Sequence, residues 1–468
     1  LFTRLAGLRR SLAKPMTHVH SRRAFLRSSF IGGTSLLILS NARLAFGTAA
    51  NSRLNIAGIG VGGQGRSNLD AFASLGENLV ALCDVDQTRA GDIYKKHPQA
   101  RRFTDFRRML DQADAQIDAV LVATPDHTHA VAAVSAMLRG KHVYCEKPLT
   151  RTVHEARIMR ETALKTKVVT QMGNQGSASD GLRRGTELVL AGTLGEILEA
   201  HVWFDGGNGP LERPADTPPV PDTLDWDLWL GPAETRPYHP AYLPASWRGW
   251  RAFGSGIVGD FGCHTGNLMF RSLGLAGLWN VPDATSPRRL VVRVEAHPSE
   301  RNAEGYPRSS RITLDLPARG DLPPVQLTLW SKDRPSADLM LGYPQQGWGD
   351  LLVGSKGSIY SECPWNTRFT LLPEARFADV KAGPPQTLPK SPGHHREWVQ
   401  ACKGEGTTFS PFEIGGPLTE LMQLANLATL IEGPIDYDIA AGRILNHDRA
   451  QRLLHREYRD GWRLGEKA

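Results

Sequence analysis

Short, largely apolar runs recur through the first third of the chain at 54–59, 79–83, 117–124 and 141–145, each followed closely by Gly, Pro or Asp. Runs of this length, without polar alternation, predict strands buried on both faces of a sheet. The segments 66–75 and 130–139 between them predict helices. Strands alternating with helices predict a parallel sheet, and ligands of such sheets sit outside the carboxyl ends of the strands. Thr124-Pro125 and Glu146-Lys147-Pro148 fall on that edge.

The pattern changes after Gly195. The stretch 196–204 is strand-like, and further strands are predicted at 290–296, 311–316, 325–331, 350–354 and 357–361, joined by turns into an antiparallel sheet. Helices at 394–403 and 417–431 are expected to close this second domain. A Pro/Gly-rich insertion runs to about residue 250 and holds Trp226, Trp229, Tyr238, Tyr242, Trp247 and Trp250. Its aromatic faces suit sugar rings, but packing onto its own domain or a neighbouring subunit is the commoner use. The fold expected is α/β: a dinucleotide-binding half at 49–172, an α/β half with a large, mostly antiparallel sheet at 173–440, and an extension at 441–468 packing on the body.

The 468 residues suffice for two domains with full cores. The formal charge of +7 is local, because residues 1–47 carry eight Lys/Arg and no Asp/Glu, leaving 47 basic and 48 acidic residues in the body. That balance gives no support to a nucleic-acid partner or an anionic membrane surface. Cys83, Cys145, Cys263, Cys363 and Cys402 are scattered without a CxxC pair, as in neither a disulfide framework nor a zinc knuckle. Residues 21–27, Ser-Arg-Arg-Ala-Phe-Leu-Arg, precede a weakly apolar stretch at 30–39 and small residues near 45–50. This order is that of a signal peptide, with an apolar run too short for a stable membrane anchor. Arg22-Arg23 resembles the twin-arginine export signal, which implies an exported, periplasmic or extracytoplasmic protein and the twin-arginine machinery as a partner.

The first apolar run feeds into Gly60-Val-Gly62-Gly63-Gln-Gly65, a GxGxxG motif, and the second ends at Asp84, 19 residues after Gly65. Gly60 permits a tight turn, Gly62 lets the backbone approach a pyrophosphate, and Gly65 allows close helix–strand packing. Asp84 is placed to accept hydrogen bonds from ribose hydroxyls and to repel a 2′-phosphate, so NAD is favoured over NADP.

A glycine-rich βα turn, a strand ending in Thr-Pro and a strand ending in Glu-Lys-Pro together resemble the Gfo/Idh/MocA oxidoreductases, as does Asp260-Phe-Gly-Cys-His264 further on. The resemblance spans about 52–440. It implies hydride transfer between a nicotinamide and a secondary alcohol or ketone of a sugar, glycoside or polyol, usually in a homo-oligomer. Lys147 would polarise the reacting oxygen, His264 would take or return its proton, and Asp260, one helical turn before His264, would orient or share substrate hydroxyls. Thr124, Pro125, His129 and Glu146 would join the glycines, Asp84 and Lys147 around the cofactor. Asn174 and Trp250 are candidate substrate contacts. His127 and His129 have no carboxylate cluster nearby and are expected in a loop, so no metal site is expected. The family's usual Asp shortly after the His is replaced here by Thr265-Gly266-Asn267. Two other readings stay open: redox-neutral glycoside cleavage through transient oxidation by bound NAD, and non-catalytic NAD binding.

Overall fold

The computed structural model describes residues 53–280, 290–382 and 384–465. The expected export signal at 1–48 lies outside them.

Six strands form the first sheet: β1 Asn55–Ile59, β2 Asn78–Cys83, β3 Arg101–Phe103, β4 Ala119–Val122, β5 His142–Cys145 and β6 Thr170–Met172. Their order is β3-β2-β1-β4-β5-β6, every pair parallel. The order reverses between β1 and β4, the crevice where doubly wound sheets bind ligands. All four β4 residues are buried, as a central strand covered on both faces requires.

The second sheet has nine strands: β7 Ile197–Phe204, β8 Val291–Pro298, β9 Ser310–Leu316, β10 Val325–Ser331, β11 Gly349–Gly354, β12 Gly357–Ser361, β13 Thr370–Leu372, β14 Ile435–Asp438 and β15 Arg443–Ile444. They run β13-β12-β11-β7-β10-β9-β8-β14-β15, antiparallel except for β7 beside β10. Val202, Val294, Ile312, Leu314 and Leu327 share a buried core with Cys263, Leu268, Leu421 and Met422 of the helices Gly256–Thr265, Asn267–Ser272 and Phe412–Ala428. This layer holds helix Gly256–Thr265, which carries Asp260 and His264, and Lys147 at the end of β5 reaches Asp260.

Three expectations change. Helix His394–Cys402 packs on the dinucleotide half: Trp398, Val399 and Cys402 share a core with Leu69, Phe72 and Tyr144. Helix Phe412–Ala428 starts five residues before Pro417. Proline favours a first turn, yet Pro417 stands inside this helix. The third change is Asp126–Leu138, helical from the residue after Pro125, which puts His127 and His129 in its first turn and not in a loop.

The aromatic insertion packs on itself. Trp226 stacks on Trp229 at 4.7 Å, and Tyr242, Trp250 and Phe253 complete the cluster. It also straps the dinucleotide half. Gln87 N donates to Thr223 O and Asp225 N to Val85 O, both at 2.9 Å, just beyond the end of β2. The C-terminal segment reaches the same edge, with Trp462 under the Arg107 guanidinium at 4.2 Å.

Candidate active site

Gly60 turns the chain out of β1 at φ +77°, where a Cβ would lie 2.7 Å from Ala123 O. A Cβ on Gly65 would come within 1.9 Å of Gly60 O, so only glycine lets helix Gln64–Ser74 start this close to the strand. No side chain caps that helix. Its first-turn N–H groups and positive dipole end therefore suit a pyrophosphate. The Asp84 carboxylate accepts from Val61 N (2.9 Å) and Gly62 N (3.1 Å) through Oδ2, and from Asp86 N (3.0 Å) through Oδ1. It lines the cleft and shapes the glycine loop as well, a task the motif alone does not reveal. The cleft measures about 530 Å³ and runs from Asp84 past Gly60 and Gly62 to Lys147 and His264. A cradle that excludes Cβ atoms, an uncapped helix start and an acid at the end of β2 together fit a dinucleotide.

The two strand-end motifs meet through His129. Its Nδ1 lies 2.9 Å from Pro148 O and its Nε2 2.7 Å from Thr124 O, while burial lowers its pKa to about 4. Thr124 and Pro125 line the cleft beside it. Glu146 lies buried against Gly173 and accepts from Asn68 Nδ2 (2.8 Å) and Gln175 Nε2 (3.2 Å). Asn68 belongs to the helix of the glycine loop, so Glu146 couples that helix to the neighbouring Lys147. The Lys147–Pro148 peptide is cis.

Across the cleft, Lys147 Nζ donates to the Asp260 carboxylate and, at 3.1 Å, to Asp260 O. Arg248 Nε stands 3.4 Å from the other Asp260 oxygen. Phe261 lies with its ring 5.5 Å from the ammonium. His264, one turn on, is buried, and its Nδ1 has no hydrogen-bond partner among the described residues. Burial, with help from the Lys147 charge, pushes its pKa well below the usual histidine value, so the ring is neutral near pH 7. His264 lines the cleft, and a neutral imidazole can accept a proton from a hydroxyl placed there.

Residues 54–174 match the family model described as oxidoreductase family, NAD-binding Rossmann fold, and residues 207–313 match that family's C-terminal alpha/beta domain. Both matches are to Gfo/Idh/MocA domains. Inositol 2-dehydrogenase 3 of Saccharopolyspora erythraea is 33% identical over 32% of this chain and 44% of its own length. An alpha-N-acetylgalactosaminidase of Shewanella oneidensis is 33% identical over 31% of this chain and 34% of its own. The chain thus aligns with less than half of these relatives. Among solved structures, the WlbA dehydrogenase of Bordetella pertussis, in complex with NADH and UDP-GlcNAcA, superposes with TM-score 0.56 at 17% identity, covering 82% of this chain and 98% of that one. At that identity the likeness shows the fold: a Rossmann domain plus an α/β domain with a mixed, mostly antiparallel sheet.

Two candidates face elsewhere. Asn174 is fully buried and donates to Cys263 O at 3.4 Å, supporting helix Gly256–Thr265 outside the cleft lining. Trp250 is buried in the aromatic cluster and donates to Ala241 O at 3.2 Å; Trp247 and Trp229 line the cleft in its place. His127 also turns away, its ring nitrogens near Phe253 O and Trp229 O.

Asp126, Arg248, Trp365 and Trp462 line the cleft as well, and sequence reasoning missed them as site residues. Asp126 is buried; burial raises its pKa to about 7, opposed by Arg248. Its position directly after Thr124-Pro125 was the available signal. Trp365 is 45% exposed with its ring 6.3 Å from that of His264. The next residue, Asn366, ties this loop to helix Gly256–Thr265, its Nδ2 donating to Thr265 O at 3.1 Å.

Proposed function

We propose that this protein is an NAD-dependent oxidoreductase acting on a CH–OH group of a sugar, glycoside or polyol. The observation that carries the reading is that Lys147, held by Asp260, and neutral His264 meet at the dinucleotide cleft. A dinucleotide held by the glycine loop and Asp84 would supply the hydride acceptor or donor for the carbinol carbon. Lys147 binds and polarises the carbinol oxygen, stabilising negative charge as it develops. His264 takes the hydroxyl proton, so the alcohol loses one hydride and one proton and becomes a ketone. Asp260 holds the Lys147 ammonium in place and, with Arg248, offers polar contacts to neighbouring hydroxyls. Trp229, Trp247, Phe261 and Trp365 wall the site with faces suited to the apolar side of a sugar ring.

A second reading is redox-neutral glycoside cleavage, favoured by the glycosidase among the relatives at the same identity as the inositol dehydrogenase. Mass spectrometry of products from NAD and a panel of glycosides and free sugars separates the two. A product two mass units lighter, formed with NADH, marks the dehydrogenase. Aglycone and free sugar without net NADH mark the glycosidase. Recovery of every substrate unchanged would leave non-catalytic NAD binding.

Export by the twin-arginine route to an extracytoplasmic site belongs to the same proposal and rests on Arg22-Arg23 and the segments that follow. Replacing both arginines by lysine should hold the protein in the cytoplasm on fractionation. Self-association, which the family resemblance implies, is read by light scattering of the purified protein.

A further inference from the structure

Behind the wall formed by residues 247–252 lies a second cavity of about 260 Å³. Trp247 and Arg248 face the cleft, whereas Arg251 and Ala252 line this cavity. Arg151, Arg213 and Arg236 line it too, with Glu234 and Glu304 as carboxylates. Both carboxylates are already engaged: Arg213 bonds Glu304 and Glu234, and Arg236 stands 3.3 Å from Glu304. Two positive charges meet these two negative ones.

Arg151 and Arg251 are left over. Arg251 is buried and spends its donors on Asn302 O, Gly305 O, Asn426 O and the Thr429 hydroxyl, with Tyr306 stacked at 4.1 Å. Arg151 donates to Arg251 O, and its Nε is buried without a partner. Arg236 Nε is likewise buried without one. The adjacent Glu155 is taken by Arg456 at 2.7 Å, by Thr152 N and by Tyr458 Oη. His455 also lines the cavity and adds no negative charge. Neither Arg251, which is buried, nor Arg151, which is partly buried near Glu155, forms an ion pair among the described residues, and two guanidinium N–H groups at the same cavity lack an acceptor. Buried charges are ordinarily paired, and buried donors ordinarily bonded. Arginine forks match tetrahedral oxyanions. Burial lowers the pKa of Arg251 to about 10, which leaves it charged near neutrality.

We propose that this cavity is a binding site for a small divalent oxyanion of the phosphate or sulfate class, separate from the dinucleotide cleft. The test is calorimetric titration of the full chain with inorganic phosphate and with sulfate at constant ionic strength, with and without saturating NAD. The expected result is saturable binding that persists with NAD present. Arg151→Gln and Arg236→Gln should each weaken it at least tenfold while NAD affinity stays within twofold. The second variant serves should the first not fold. Absence of saturable binding by the wild type, a signal that disappears when NAD is added, or unchanged binding in a folded variant overturns the assignment.

Discussion

Lys147 and Asp260, 113 residues apart, close an ion pair between the dinucleotide half and helix Gly256–Thr265. Each side chain is mostly buried, at 14% and 17% exposed. The pair therefore fixes the ammonium at the wall of the cleft. Lys147→Ala should lower kcat by roughly 10²–10⁴-fold and leave the NAD dissociation constant nearly unchanged. Steady-state kinetics and nucleotide titration of one preparation check both, and unchanged turnover would remove Lys147 from the reaction.

Asp126 gives the site a pH signature. Burial raises its pKa from 3.8 to about 7. The folded state thus favours the protonated carboxyl, so this stabilisation is complete below about pH 4 and is lost as pH rises towards 7. Asp126→Asn stays neutral throughout. The stability of the wild type relative to the variant should therefore fall between those limits, by at most about 1.4 kcal/mol per pH unit. Urea unfolding at pH 4.5, 6 and 7.5 measures it; a constant difference would show an ordinary carboxylate.

Trp365 offers the one half-exposed tryptophan face among the described cleft residues. Trp365→Ala should raise KM for a sugar substrate by roughly 3–30-fold through lost stacking, with kcat changed far less. Trp365→Tyr should recover most of the loss. Equal KM values for all three would assign the residue to the rim alone.

Trp462 tests the C-terminal reach into the cleft. It packs on Phe106 with ring centroids at 5.9 Å and under Arg107, beside the end of β3. Trp462→Ala should weaken NAD binding by roughly 3–30-fold, as expected for losing an aromatic and cation–π contact. Titration of the variant with NAD checks this, and an unchanged dissociation constant would limit Trp462 to packing.

The chain's local patterns made the dinucleotide half legible. Glycine spacing, strand ends and Asp84 are short-range signals, and β1, β2, β4 and β5 lie within two residues of their expected positions. What stayed hidden depends on facing and on long-range return. Trp250 and Trp247 are three residues apart in one aromatic stretch, yet only Trp247 faces the cleft. Asn174 follows a strand end as a ligand residue would, but its amide turns to helix Gly256–Thr265. Asp126 sat in a Pro-Asp-His-Thr-His string that reads as a loop until the helix is seen to begin there.

Helix His394–Cys402 also bears on stability. Trp398 is fully buried against Phe72 and Tyr144, at 5.0 and 5.7 Å between ring centroids. Trp398→Ala should cost about 3–5 kcal/mol of unfolding free energy, measured by urea denaturation.

The same helix sets an order of events during synthesis. The last strand of the first sheet ends at Met172, but the side chain that covers Phe72 and Tyr144 is at residue 398. At roughly 5–20 residues per second the ribosome needs about 11–45 s to make the intervening chain. For that time the nascent nucleotide-binding half carries an aromatic face with nothing on it. Released as a fragment ending at residue 172, it would keep that face exposed and tend to aggregate, so the half is not a module that can be cut out and used alone.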